Sequence, residues 1–297
     1  MIEQRVALRG PIDLPETLSP LAHGRGDRTI RLERGVAWLA FRTADGPATL
    51  QLTQDGRTNL IARAWGAGAD TALASTPELV GEDDELDRFE PLHPILRRLQ
   101  RTHVGMRLPR SHRVLHALVP TILEQKVTGT EAFRSYAALL RRYGEPAPGP
   151  GELLLPPSAE TLAALPYHDF HPMGVERRRA DVIRHAARRA SWLESAADAR
   201  EATRRLVSLP GIGAWTAAEV TRCVYGDPDA VSVGDYHVPN MVAWALAREP
   251  RADDARMLEL LEPYRGQRGR VQRYLEVGRV TAPRYGPRLA PRSIAAI

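Results

Sequence analysis

The period of the apolar residues changes once along this chain, near Trp65, and that change limits the fold more than any other feature. Before it, residues 2–8, 29–32, 36–42, 48–53 and 59–65 form short stretches rich in aliphatic, β-branched and aromatic residues, each of strand length. Turn chemistry separates them at Gly24-Arg25-Gly26-Asp27, Ala44-Asp45-Gly46-Pro47 and Asp55-Gly56. Beyond Trp65 the spacing becomes helical. In residues 177–193 the apolar positions Ala180, Ile183, Ala187, Ala190 and Leu193 recur at three- and four-residue steps with arginines on the other face, which predicts one amphipathic helix. The expectation is an α+β chain, with an N-terminal antiparallel sheet domain over residues 1–85, including a helix near residues 15–22, and a mostly α-helical region over residues 86–297.

Within that frame the acidic run Gly81-Glu82-Asp83-Asp84-Glu85 reads as a solvated loop at the junction. Ser158 reads as the N-cap of a short helix reaching Leu165. The Pro- and Gly-rich residues 144–157 read as an internal linker, and residues 281–291 as an irregular, arginine-bearing tail able to meet phosphates. There is no internal repeat.

Charge points to the partner. The 41 basic residues exceed the 36 acidic ones, Lys126 is the only lysine among them, and the net charge of +5 favours a polyanion such as nucleic acid. A single cysteine, Cys223, excludes a disulfide framework and a four-cysteine metal or iron–sulfur site. The first residues lack a basic-then-apolar signal pattern and no apolar run nears the ~18 residues of a membrane span, so a cytoplasmic chain without membrane contact is expected.

The most specific motif is Leu209-Pro210-Gly211-Ile212-Gly213-Ala214-Trp215, set between two helical patterns. Gly211 and Gly213 permit positive φ and leave amides uncovered at the start of the next helix, where a phosphate can bind, while Ile212 pegs the turn to the core. The plainer alternative is a turn that only joins two helices. About twenty residues on, Asp235 ends the loop Ser232-Val233-Gly234-Asp235 and precedes the apolar run 238–246. Taken locally, Asp235 is a helix N-cap.

Together the turn and the loop resemble the helix-hairpin-helix and Gly/Pro-rich loop ending in aspartate of a DNA-glycosylase superfamily, nearest the AlkA type of 3-methyladenine DNA glycosylase. Val104-Gly105-Met106-Arg107-Leu108-Pro109-Arg110, Ile122-Leu123-Glu124-Gln125-Lys126-Val127-Thr128 and Met173-Gly174-Val175 are similar to further family segments, in the same order. The resemblance implies a helix-hairpin-helix glycosylase region with a cleft between two halves, excision of alkylated purines such as 3-methyladenine or 7-methylguanine from duplex DNA by base flipping, and action as a monomer. It makes Asp235 the catalytic carboxylate, stabilising the positive charge that develops on the sugar and orienting water. Gly211, Ile212, Gly213, Gln125 and Lys126 would bind DNA, Lys126 at the position of the residue that wedges into the duplex. No cofactor is required, though the backbone carbonyls of Val207, Leu209 and Ile212 are implied to hold a monovalent cation.

Bifunctional members carry a lysine nucleophile where this chain has Trp215, and an indole forms no Schiff base; Trp215 either lines the base pocket or packs in the core. Where the AlkA type has a pocket tyrosine and a late tryptophan, this chain has Glu219 and Arg273, so the pocket is expected to be more polar, with Tyr236 as an additional stacking face. His112 and His116 read as surface or DNA-facing residues, and His237 as a structural histidine beside Asp235. Two rival functions remain: a non-catalytic binder of damaged DNA, and a glycosylase for another lesion such as hypoxanthine or uracil.

Overall fold

The computed structural model describes residues 1–283; most of the tail segment 281–291 lies outside them. Strands β1 (Ile2–Ala7), β2 (Ile30–Glu33), β3 (Val36–Thr43), β4 (Gly46–Gln54) and β5 (Asn59–Trp65) form an antiparallel sheet in the order β1-β5-β4-β3-β2. Each expected strand is present to within two residues. Register places Leu39, Leu50 and Ala64 in one row, and that face buries against Leu14 and Leu18 of α1 (Leu14–Leu18) and Ala72 of α2 (Ala69–Ala74). Period-two alternation puts Trp38 and Trp65 on the other face, stacked at 5.6 Å.

Short α3 (Thr76–Leu79) leads to the acidic run, which is not a solvated loop. The Asp84 side chain is 4% exposed and pairs with the fully buried Arg270, and Glu82 pairs with Arg107 at 2.6 Å. Charge runs usually face water, but here two of the carboxylates are the partners of buried arginines, Arg270 of a later helix and Arg107, which also bonds to Gly10 O and Pro11 O.

Two helical lobes follow. One core joins α5 (Val114–Leu123), α6 (Gly129–Tyr143), α7 (Ala159–Ala164), α8 (Tyr167–Phe170), α9 (Arg177–Ala187), α10 (Ala190–Glu194), α11 (Ala199–Val207) and α12 (Ala214–Val224) around residues such as Leu118, Ile183, Leu206 and Val220. A second joins α4 (Pro94–Thr102) to α13 (Val238–Ala247), α14 (Asp254–Leu261) and α15 (Arg268–Val277) around Leu96, Val242, Met257 and Val271. Each such aliphatic side chain contributes roughly 1.5–3 kcal/mol by leaving water. The chain passes between the lobes at residues 103–113 and again at residues 225–237, the loop that carries Asp235.

Two expectations need correction here. The helix over residues 177–193 is two, because the turn at Arg188 and Arg189 leaves helical geometry (Arg189 φ −113°, ψ 16°), which lets Leu193 reach the core from α10. The linker 144–157 is ordered: β6 (Glu145–Pro146) pairs with β7 (Leu154–Leu155), and the loop between them lies flat on the tryptophan pair. A Cβ on Gly149 would come within 2.4 Å of Trp65, so glycine here serves close approach rather than flexibility. Ser158 does cap α7, accepting from the Thr161 amide at 3.1 Å. Among the described residues no helix is long and apolar enough to cross a membrane.

Candidate active site

The turn between α11 and α12 is built from both of its neighbours. Ile212 is buried in the first helical core, Gly211 has φ +91°, and a Cβ there would meet Val182 Cγ2 at 2.4 Å. Gly213 differs from the expectation of positive φ. It is the extended N-cap of α12 (φ −106°, ψ −175°), with nothing within 4 Å of where a Cβ would stand. The glycine at 213 therefore leaves the first amides of α12 open, at the positive end of the helix dipole.

Gln125 holds this turn in place. Its side-chain amide donates to Gly211 O at 3.0 Å and Thr216 Oγ1 at 2.9 Å, so the end of α5 is fastened to the start of α12. Behind it, buried Arg179 donates to Leu123 O at 2.7 Å, a cation at a helix C-terminus. The next residue, Lys126, is exposed with φ +56° and directly follows the residue that holds the hairpin. The carbonyls of Val207, Leu209 and Ile212 belong to the same turn, and that of Leu209 already accepts the Ile212 amide at 3.1 Å. These are uncharged oxygens of the kind that suits a hard cation. Among the described residues no group of three or more His, Cys, Asp or Glu could hold a metal ion.

Asp235 is half-buried in the inter-lobe loop, and its carboxylate is fixed from three directions. Oδ1 accepts the His237 amide at 2.6 Å and the Val238 amide at 2.9 Å; Oδ2 accepts the Trp215 indole N–H at 3.1 Å. The helix-cap geometry read from the local sequence is thus present, and a second element, α12, grips the other oxygen. The loop itself is anchored one residue back by the Gly234 amide on Asp254, at 3.0 Å to each carboxylate oxygen. Ser232 is held by Gln272, which accepts its amide at 3.1 Å and donates to its hydroxyl at 2.7 Å.

One turn beyond Trp215 on α12, Glu219 accepts hydrogen bonds from the Ser232 hydroxyl and from Arg222 at 3.2 Å. Arg222 also pairs with Glu276. Burial pushes the Glu219 carboxyl up, and the Glu276 charge adds to this against the pull of Arg222. Glu276, although burial works against its charge too, is held below the usual carboxylate range by Arg222. Glu219 lines a cavity of about 160 Å³ between the sheet and helices α5, α6 and α12, whose other walls include His23, Arg113, His116, Glu124 and Phe133. Glu124 meets the His23 ring at 3.1 Å.

Asp235, Trp215 and Glu219 are therefore joined through α12 and the loop, and Gln125 with the hairpin. Of the four expected pocket residues only Glu219 is a wall of this cavity: Trp215 bonds to Asp235 instead, and the other two lie elsewhere. Tyr236 is 79% exposed, its ring edge against His237, because the capping turn points it outward. Arg273 is not a wall of the cavity; its guanidinium donates to Glu16 O and to Ser19 Oγ (2.7 Å), tying α15 to α1. His116 is not at the surface either: it faces the cavity, 3.3 Å from Thr29 Oγ1, and burial with nearby Arg113 and His23 lowers its pKa to about 3. His112 is exposed and pairs with Glu78 at 2.6 Å. The sequence assigns no role to His23, Glu124 or Ser232, although Glu124 and Ser232 stand in the motifs that hold Gln125 and Asp235.

Residues 119–265 match a family model described as "HhH-GPD superfamily base excision DNA repair protein". A protein of Mycobacterium tuberculosis named "Probable bifunctional transcriptional activator/DNA repair enzyme AlkA" is 28% identical over 211 residues, 70% of this chain and 41% of the relative. "DNA-3-methyladenine glycosylase 2" of Escherichia coli is 31% identical over 128 residues, 41% of this chain and 45% of that protein. The chain thus spans less than half the length of these relatives. In fold it is similar to the "3-methyladenine dna-glycosylase from Archaeoglobus fulgidus" (TM-score 0.79, 19% identity, covering 92% of this chain and 97% of the other). It is also similar to the Clostridium acetobutylicum "8-oxoguanine glycosylase/lyase" in its apo-form (TM-score 0.68, 14% identity, 93% and 96% covered).

Proposed function

Because residues 119–265 belong to the HhH-GPD superfamily of base excision DNA repair proteins, we propose that this chain is a monofunctional DNA glycosylase that excises alkylated purines of the 3-methyladenine and 7-methylguanine class from duplex DNA. The observation that carries this reading is the half-buried carboxylate of Asp235, held by Trp215 and two amides.

The open amides from Gly213 onward take a DNA phosphate, a contact that positions the duplex without reading its sequence. The carbonyls of Val207, Leu209 and Ile212 are suited to a monovalent cation that would offset the phosphate charge; none is required for the chemistry below. Lys126, directly after Gln125, enters the gap left by the extruded nucleotide. A water oxygen then bonds to the sugar C1′ as the C1′–N bond breaks, and the bond pair leaves with the base. A base already cationic departs neutral, so no strong acid is needed. Asp235 offsets the positive charge that builds on the sugar and takes the proton from the water. With an indole at position 215 and no lysine beyond Lys126, the reading is hydrolysis without lyase chemistry. The chain acts as a monomer on duplex DNA of the cytoplasm.

The test incubates the protein with methylated duplex DNA and then heats it in alkali, which cuts at abasic sites. Breaks are expected with the wild type and their loss with Asp235→Asn. No breaks with the wild type, or undiminished breaks with the variant, would leave a non-catalytic DNA binder; breaks before alkali would remove the hydrolytic assignment.

A further inference from the structure

The cavity beside Glu219 is polarised along its length. Helix α5 runs beneath it with Arg113 just before its first turn and Glu124 just after its last, about 16 Å apart at 1.5 Å per residue. At the Arg113 end the guanidinium lies over the Phe41 ring at 3.5 Å and bonds to Ser111 O. His116, next along, is neutral at physiological pH. At the other end stand Glu124 and Glu219, with side chains about a quarter exposed, and His23 on Glu124. This acidic end is tied by side chains to the loop that carries Asp235, which is not itself one of its walls: Glu219 bonds to Ser232, three residues before Asp235, and Glu124 precedes Gln125, which bonds to the hairpin.

Two carboxylates facing one desolvated space repel each other; burial does most to push the Glu219 carboxyl up, and Glu124 adds the smallest part, after Glu276 and against Arg222. Arg222 is committed to Glu276 as well as to Glu219. An occupant that brings positive charge relieves the repulsion, whereas a neutral base with the same N–H donors leaves both carboxylate charges uncompensated. A cavity of about 160 Å³ is of the size that encloses one benzene ring, roughly 150 Å³, so it takes one ring edge of a base and not a nucleotide. Among the described residues the rings at its wall near this end are Phe133 and the His23 imidazole.

We propose that Glu219 and Glu124 read the extruded base by charge, selecting formally cationic purines through ion pairing and N–H···O bonds rather than by stacking between aromatic rings. The inference rests on the base-extrusion reading above and assigns its specificity to these two residues.

The experiment separates binding from excision. Duplexes carrying 7-methylguanine or guanine at one site, each on a 2′-fluoro sugar that resists cleavage, are titrated against the wild type, Glu219→Gln and Glu124→Gln. The wild type is expected to prefer the methylated duplex by about tenfold or more, as for hydrogen bonds to a charged group, and each variant to lose most of that preference. Folding of each variant is checked by thermal melting and by affinity for abasic DNA. An equal preference in both folded variants and the wild type, or none in the wild type, would overturn the proposal. Selective binding without base release from ordinary methylated DNA would retire the glycosylase reading and leave this one standing.

Discussion

The indole N–H of Trp215 donates to Oδ2 of Asp235 at 3.1 Å, across twenty residues of sequence. The indole at the position where the resemblance implies a lysine in bifunctional members thus holds the carboxylate. Trp215→Phe keeps an aromatic ring and removes this donor, so single-turnover base release is expected to fall about 10- to 100-fold, the worth of one hydrogen bond to a charged group. Affinity for abasic DNA should stay within about twofold. In an Asp235→Asn background the same change should cost almost nothing more, since both act through one group. A full further loss there would mean that Trp215 works by stacking on the base.

The two hairpin glycines are expected to fail differently. Gly211→Ala places a methyl against Val182 and a side chain at φ +91°, so it should destabilise the fold by about 1–3 kcal/mol. Gly213→Ala has space and an ordinary φ, so thermal stability should hold to within about 0.5 kcal/mol. Its methyl instead crowds the open amides of α12, and duplex affinity should drop with a salt dependence shallower by about one phosphate. Wild-type affinity and slope in Gly213→Ala would show that those amides do not hold a phosphate.

How much of this was legible in the sequence follows from the range of the forces involved. Strands were readable to within two residues because alternation records burial on one sheet face, as in Leu39, Leu50 and Ala64. Ile212 and Ser158 were readable because a turn peg and a helix cap are local devices. Glu82 and Asp84 were misread as solvated because their arginines come from residues 107 and 270. Arg273 was given to the pocket by analogy of position, yet a guanidinium reaches farther than an indole and found Glu16 and Ser19. His23 and Glu124, 101 residues apart, meet only through the packing of the sheet on α5, which no local pattern encodes.

Arg270 is fully buried, and both nitrogens of its fork bond to Asp84, which also accepts the Leu108 amide at 3.0 Å. Asp84→Ala leaves that guanidinium without its anion and is expected to cost about 3–5 kcal/mol in urea unfolding. Arg270→Met alone strands the carboxylate. The double replacement should therefore be less destabilised than the sum of the two, by at least about 1 kcal/mol. Strict additivity would mean that the pair contributes nothing beyond its separate packing.

His116 gives the fold a pH dependence of defined sign. Its pKa is lowered to about 3 by burial and by the charges of Arg113 and His23, whereas in the unfolded chain it titrates at its ordinary 6.5. Below 6.5 the unfolded state takes up a proton that the folded state refuses, so the contribution is complete at pH 7.5 and is lost progressively as pH falls from 6.5 towards 3. Between pH 7.5 and 5.5 the loss should be about 1 kcal/mol. His116→Gln removes the titrating group while retaining a polar partner for Thr29. Urea unfolding at the two pH values should therefore show the wild type losing about 1 kcal/mol more than the variant, every other titrating group being common to both. Equal losses would mean that the imidazole accepts its proton in the folded cavity, with water or a carboxylate such as Glu124 stabilising the charge.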